Sequence, residues 1–111
     1  MNRLRGKGDI YMYCELELGI MENVDYDKIL QQELKQLQAL DTVKGLVSAI
    51  WFSDKDKGEY GYLAVYETKE DQEAHFKTYP DEIKAVLDKY FRVEFFPVNF
   101  GFSKEWRLPS N

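Results

Sequence analysis

Cysteine pairs, basic clusters and long apolar runs are all scarce in this sequence of 111 residues. The formal net charge is −5, which opposes contact with a phosphate backbone, so we expect no nucleic-acid partner. The one cysteine, Cys14, excludes an internal disulfide and fits a reducing compartment. No apolar run approaches the roughly 18 residues of a membrane-spanning helix, and no secretory signal is apparent. We therefore predict a cytoplasmic protein without a membrane partner.

Metal-binding and phosphate-binding motifs are missing as well. One histidine and one cysteine do not make a zinc or iron site. The acidic loop at residues 54–56 lacks the glycine and the terminal glutamate of a calcium loop. There is no glycine-rich phosphate loop and no nucleophile elbow. The sequence therefore predicts neither a metal nor another cofactor.

Aromatic residues, by contrast, are abundant. The chain has eight tyrosines and seven phenylalanines, and 44% of its residues are hydrophobic. A chain of this length has room for one core only, and that core needs less ring surface than the sequence supplies. The surplus favours a ring-lined pocket or a subunit interface.

The spacing of apolar residues divides the chain into strands and helices. The predicted strands cover residues 9–18, 43–52, 59–66 and 92–102. The predicted helices cover residues 25–40, residues 68–77 and a third stretch that begins at Pro80. Turn residues over 54–58 make the middle two strands a hairpin, and Pro97 indicates either an edge position or a bulge in the last strand.

The resulting order, β-α-β-β-α-β, is that of the ferredoxin-like fold. We therefore predict an α+β domain over residues 9–102 with a four-stranded antiparallel sheet. Residues 1–8 are interpreted as a flexible N-terminus, and residues 103–111 as a C-terminal tail.

Two strands that should be central and adjacent carry a set of tyrosines on one side. This tyrosine-rich face comprises Tyr11, Tyr13, Glu15 and Glu17 of the first strand and Tyr60, Tyr62, Ala64 and Tyr66 of the third. Helices cover only one side of such a sheet, and a large aromatic surface is rarely left open to water. We predict that this face is uncovered in one chain and pairs with a second copy, which gives a homodimeric α/β barrel.

With the elements in order, four segments carry a family resemblance: residues 34–37, 43–48, 62–71 and 76–83. They resemble the stress-responsive dimeric A/B barrel family and, less closely, the antibiotic-biosynthesis-monooxygenase family of the same superfamily. The resemblance spans about residues 9–102 and implies a dimeric barrel.

Cyclases of the first family use a tyrosine and the second histidine of a His-Pro-x-His segment as acid–base groups. Here that segment reads Tyr79-Pro80-Asp81-Glu82, so both histidines are replaced. Tyr66 and His75 keep the nine-residue spacing of a tryptophan–histidine pair in the second family.

Three side chains are candidates for proton transfer: His75, Glu15 and Tyr62. The histidine has a reference pKa near neutrality, although an exposed histidine on a short polar helix is also ordinary. A carboxyl enclosed on the tyrosine-rich face would have a raised pKa, and we expect this for Glu15 more than for Glu17, which is more readily a solvated strand end.

The candidate ligand-binding residues are aromatic: Tyr11, Tyr13, Tyr60, Tyr62, Tyr66 and Trp51. They could stack on a planar ligand in the barrel lumen, or they could fill the dimer interface. Loss of the His-Pro-x-His pattern favours a binding protein for a small aromatic or polyketide-like molecule. The alternative is a cofactor-independent cyclase or monooxygenase.

Overall fold

The computed structural model describes residues 12–98, and these form one antiparallel sheet with helices on one side. The strands are β1 (Tyr13–Ile20), β2 (Leu46–Asp54), β3 (Glu59–Tyr66) and β4 (Phe91–Pro97). The helices are α1 (Tyr26–Ala39), α2 (Lys69–Phe76) and α3 (Asp81–Tyr90), and a 3-10 turn at Leu40–Thr42 follows α1. The strand order is β2-β3-β1-β4. This confirms the predicted ferredoxin-like α+β fold, with β4 and its Pro97 at an edge. The predicted N-terminal segment 1–8 and C-terminal tail 103–111 lie outside the described residues.

Helix starts follow local sequence chemistry. The Asp25 side chain accepts a hydrogen bond from the Lys28 backbone N–H at 3.1 Å, and the Thr68 hydroxyl accepts one from the Asp71 N–H at 3.0 Å. Both are N-cap bonds that satisfy amides with no partner inside their helix. The second strand begins three residues later than predicted because Gly45 adopts a left-handed φ of 76° in the turn before it.

The tyrosine-rich face lies against the helices. In the register of the sheet, Tyr13 faces Tyr66 and Glu17 faces Tyr62, so these side chains share one side. Leu37 and Leu40 at the end of α1 pack on the same side, against Tyr66. The prediction that this face is uncovered is therefore wrong. The apolar stripe of α1 needs a partner, and phenol rings supply apolar area while their hydroxyls reach buried polar groups.

The side of the sheet that residues 12–98 leave uncovered is aliphatic instead, and we call it the open face. Its centre is made by Cys14, Leu16, Leu18, Leu63 and Val65. Around them Ile20, Ile50, Phe52 and Phe96 are 37–54% exposed. The Phe52 ring lies over Gly61, where a Cβ atom would collide with it. The buried Cys14 thiol has its pKa raised to about 11 by burial.

Candidate functional site

A cavity of about 410 Å³ lies between the sheet and the helices. One wall is apolar and comes from α1 and α3: Ile29, Leu37, Ile83, Val86 and Leu87. The sheet contributes Glu17, Trp51, Tyr60 and Tyr62. The volume falls within the range of small-molecule pockets, about 300–1,000 Å³, and a mainly apolar lining with a few polar groups is typical of them. The cavity belongs to a single chain, so it is not the lumen between two sheets that the sequence suggested.

Glu15 lies at the centre of a hydrogen-bond network behind the cavity wall. It is fully buried. Its Oε1 accepts a hydrogen bond from Gln72 Nε2 at 3.1 Å, and its Oε2 accepts one from the Tyr79 hydroxyl at 2.9 Å. Both carboxyl oxygens therefore have donors, which is the condition under which a buried carboxylate is tolerated.

Glu17, two residues along the strand, is placed quite differently. Its side chain lines the cavity and is only 8% exposed, and its Oε2 has no hydrogen-bond partner within residues 12–98. Burial, a hydrogen bond to Glu15 and the charges of Glu15 and Glu33 raise the pKa of Glu17 well above its ordinary value. The expectation that Glu17 is a solvated strand end is wrong, because helices α1 and α3 cover that part of β1.

Glu33 brings a second carboxyl to the cavity from α1. Burial raises the pKa of this carboxyl as well. An acidic side chain on the covered side of a helix is unusual, and Glu33 keeps part of its surface accessible to solvent. Together with Glu17 it makes the cavity lining acidic.

His75 on α2 lines the cavity and is held by Tyr66. The Tyr66 hydroxyl lies 2.7 Å from His75 Nδ1. Burial raises the pKa of Tyr66, so this hydroxyl keeps its proton, and we assign it as the hydrogen-bond donor to Nδ1. Burial lowers the pKa of His75, and the Glu15 charge opposes that shift. His75 is therefore a neutral imidazole near neutral pH, with its remaining proton on Nε2.

This pairing leads to a prediction for Tyr66→Phe. The substitution removes a donor that stabilises neutral His75, so the pKa of His75 should rise toward its ordinary value. Because His75 is the only histidine, its imidazole NMR signals can be titrated without ambiguity. Tyr60→Phe, in a cavity residue with no bond to His75, is the matched control. An unchanged pKa of His75 in Tyr66→Phe would contradict the proposed donor role.

Three further tyrosines shape the cavity. Burial raises the pKa of Tyr62 and of Tyr79 far above the ordinary value, so both remain protonated hydrogen-bond donors. The Tyr60 ring packs between Tyr26 and Trp51, with ring centroids 6.2 and 6.1 Å away. The Tyr26 hydroxyl is in turn 2.6 Å from Ser53 Oγ. These contacts fix an aromatic wall around the acidic groups.

The structure brings most of the predicted site residues together. Trp51, Tyr60, Tyr62 and His75 line the cavity. Glu15 and Tyr66 lie behind it and bind the wall residues Tyr79 and His75. The Tyr13 ring lies elsewhere, 5.8 Å beneath Lys69 Nζ and away from the cavity lining. Tyr11 lies outside the described residues.

Sequence reasoning missed Glu33 and Tyr79. Glu33 falls on the line of Ile29, Leu37 and Leu40 along α1, so helical spacing alone could have marked it as covered. The role of Tyr79 has no local signal, since its partner Glu15 is 64 residues away.

No helix within residues 12–98 is long and apolar enough to cross a membrane. In the same part of the chain, no group of three His, Cys, Asp or Glu side chains is placed to hold a metal ion.

No protein-family model and no curated protein matches the chain, but solved structures do. Rv0793 from Mycobacterium tuberculosis aligns with a TM-score of 0.62 at 14% identity, over 83% of this chain and 99% of that one. A Nitrosomonas europaea protein, named as a candidate antibiotic biosynthesis monooxygenase, aligns with a TM-score of 0.61 at 15% identity, over 90% and 100%. A Deinococcus radiodurans protein of the same description gives 0.59 at 14%, over 86% and 99%. At these identities the similarity shows the fold alone; the names of the second and third proteins are those of the second family that the sequence resembles, and none of the three names is that of the first.

Proposed function

We propose that this protein binds a small aromatic or polyketide-like molecule in the cavity between its sheet and helices. The observation that carries this proposal is the cavity of about 410 Å³, where rings and aliphatic side chains surround Glu17, whose Oε2 has no hydrogen-bond partner among residues 12–98. A buried polar atom without a partner is costly unless something else satisfies it. A ligand in the cavity would do so. The names of the structural neighbours support a small-molecule role on this fold.

A second candidate function is proton transfer in a cofactor-independent cyclisation or oxygenation. The position of His75 favours it: a neutral imidazole that lines the cavity and is oriented by Tyr66 is suited to act as a general base. Binding remains the primary proposal because both histidines of the His-Pro-x-His pattern are replaced.

Binding can be tested with three naphthalene probes of equal size and different charge: α-naphthylmethylammonium, α-naphthylmethanol and α-naphthoate. We expect saturable binding of at least one of them by isothermal titration calorimetry. Val86→Trp should fill the cavity from α3 and weaken that binding by about tenfold or more. Val24→Trp, at an exposed apolar position away from the cavity, should leave it unchanged. If none of the three binds the wild-type protein, the proposed function is wrong.

We also propose that the protein is a homodimer of the open face, and that it acts in the cytoplasm. The cysteine Cys14 is a free thiol buried within that face, and a free thiol is typical of a reducing compartment such as the cytoplasm.

The open face has an apolar centre, while the charged residues Asp54, Glu59, Arg92 and Glu94 are exposed at its margins. That arrangement is typical of a subunit interface, and in a two-fold dimer a single self-complementary face is sufficient.

A further inference from the structure

The ionisable side chains that line the cavity are acidic, apart from tyrosines and one histidine. Glu17 and Glu33 both contribute carboxyl groups to it. None of the lysines and arginines within residues 12–98 lines it. The one lining histidine is neutral near pH 7, because burial lowers its pKa. A ligand that enters this cavity therefore finds two acidic groups and no positive charge.

The hydrogen-bonding capacity left at Glu17 is that of an acceptor. Its neighbour Glu15 already receives donors from Gln72 and Tyr79. A hydrogen bond to Glu15 is one cause of the raised pKa of Glu17, so we place the proton of Glu17 on the oxygen that faces Glu15, and Oε2, which has no partner within residues 12–98, keeps its lone pairs free. The missing partner is thus a donor, and the chain between residues 12 and 98 does not supply it.

Aromatic rings surround these carboxyls. Five of them line the cavity: Trp51, Tyr60, Tyr62, Tyr79 and Phe91. The faces of such rings carry negative electrostatic potential and attract cations, most strongly where water is excluded. Carboxyl groups and ring faces therefore select for the same kind of ligand.

We propose that the cavity takes an organic cation, an amine in its protonated form attached to an aromatic or alicyclic body. This inference rests on the proposed small-molecule function and specifies its ligand class. The ammonium group donates to the free oxygen of Glu17, Glu33 brings a second carboxyl group, and the rings and the apolar wall contact the body of the ligand. An anionic ligand of the same size would keep these carboxyl groups protonated and would gain no charge attraction from the lining.

Binding of such a cation releases a proton. In the empty cavity Glu17 is protonated near neutral pH, and an adjacent ammonium favours its carboxylate form. The ammonium keeps its own proton, and the proton of Glu17 leaves to solvent. The titratable groups around Glu17 are Glu15 on its own strand, Tyr62 on β3, Glu33 on α1, His75 on α2 and Tyr79 before α3. Affinity for the amine should therefore increase with pH, by up to about tenfold per pH unit between about pH 6 and 8.

The same three naphthalene probes test this inference. The amine stays protonated below about pH 8, as alkylammonium groups do. We expect it to bind about tenfold or more tightly than the alcohol at about pH 7, with the carboxylate weakest. Glu17→Gln should reduce affinity for the amine by about tenfold and leave affinity for the alcohol within about twofold. Glu73→Gln removes an exposed charge on α2 and should change neither.

The results separate this inference from the proposed function. Binding of the alcohol or the carboxylate as tightly as the amine would overturn the cation assignment and leave small-molecule binding intact. An unchanged affinity for the amine in Glu17→Gln, with the fold verified by circular dichroism, would overturn the role of Glu17 and with it the inference. Absence of binding by all three probes would overturn both.

Discussion

Glu17→Gln is expected to stabilise the protein at mildly alkaline pH and to make its stability less dependent on pH. Burial and the nearby charges of Glu15 and Glu33 raise the pKa of Glu17 above its value in an unfolded chain, 4.5. Between that value and the folded pKa, the folded state binds more protons than the unfolded state. The free energy of unfolding therefore decreases as pH rises through this window, by up to about 1.4 kcal/mol per pH unit.

A glutamine at this position cannot ionise. Its amide can donate to Glu15 as the protonated acid does, so the network behind the cavity is retained. The variant should therefore gain up to about 2 kcal/mol over the wild type on going from about pH 7 to 8.5. Burial raises the pKa of Glu33 in the same direction, so the variant keeps the contribution of that carboxyl to the pH dependence of stability.

Urea unfolding followed by circular dichroism measures this effect. The range between about pH 7 and 8.5 lies above the titration of histidine and below most of that of cysteine and tyrosine. This choice matters because the lowered pKa of His75 gives the opposite sign: stability associated with it is lost as pH falls through its ordinary value. Glu73→Gln is the control, and it should follow the wild type at each pH. Equal slopes for Glu17→Gln and the wild type would show that Glu17 is ionised in the folded protein.

The elements of the fold are encoded locally, and the sequence predicts them well. Period-two alternation marks the strands, and the caps at Asp25 and Thr68 mark the starts of α1 and α2. The order of the elements then leaves few topologies for a four-stranded sheet. Each of these signals lies within a few neighbouring residues, which is why none depended on a contact between distant parts of the chain.

The choice of sheet face could not be predicted in this way. Both faces of β1 are consistent with burial, since one carries leucines and the other carries tyrosines and carboxyls. A rule that places apolar residues inside would put Leu16 and Leu18 under the helices. The structure puts Glu15 there, because Gln72 and Tyr79 satisfy it from 57 and 64 residues away. Partners at such separations leave no pattern in a single sequence.

The same reason limits the prediction of the site. The aromatic surplus, His75 and the carboxyls of β1 were visible as candidates, and four of the predicted side chains line the cavity. The different roles of these side chains could not be predicted. The role of each carboxyl depends on whether it receives hydrogen-bond donors, and only tertiary packing makes Glu15 differ from Glu17 in this respect.

Ile50→Glu is expected to convert a dimer into a folded monomer. In a single chain Ile50 is 46% exposed on the open face, so a glutamate there can remain hydrated and should cost the monomer little. In the proposed dimer the same side chain would be buried against a second apolar sheet without a partner for its charge. Such burial costs about 3–5 kcal/mol, which corresponds to a loss of roughly two to four orders of magnitude in dimer affinity.

Sedimentation velocity at low micromolar concentration distinguishes the two states. The wild type should sediment with twice the mass of the chain, and Ile50→Glu with the mass of one chain. Val24→Glu introduces the same charge at an exposed apolar residue outside the sheet, and it should remain dimeric. Because the cavity lies within one chain, the monomeric variant should still bind whichever naphthalene probe the wild type binds. A wild-type protein that sediments as a monomer would rule out the dimer, and the open face would then have to be accounted for by a different partner.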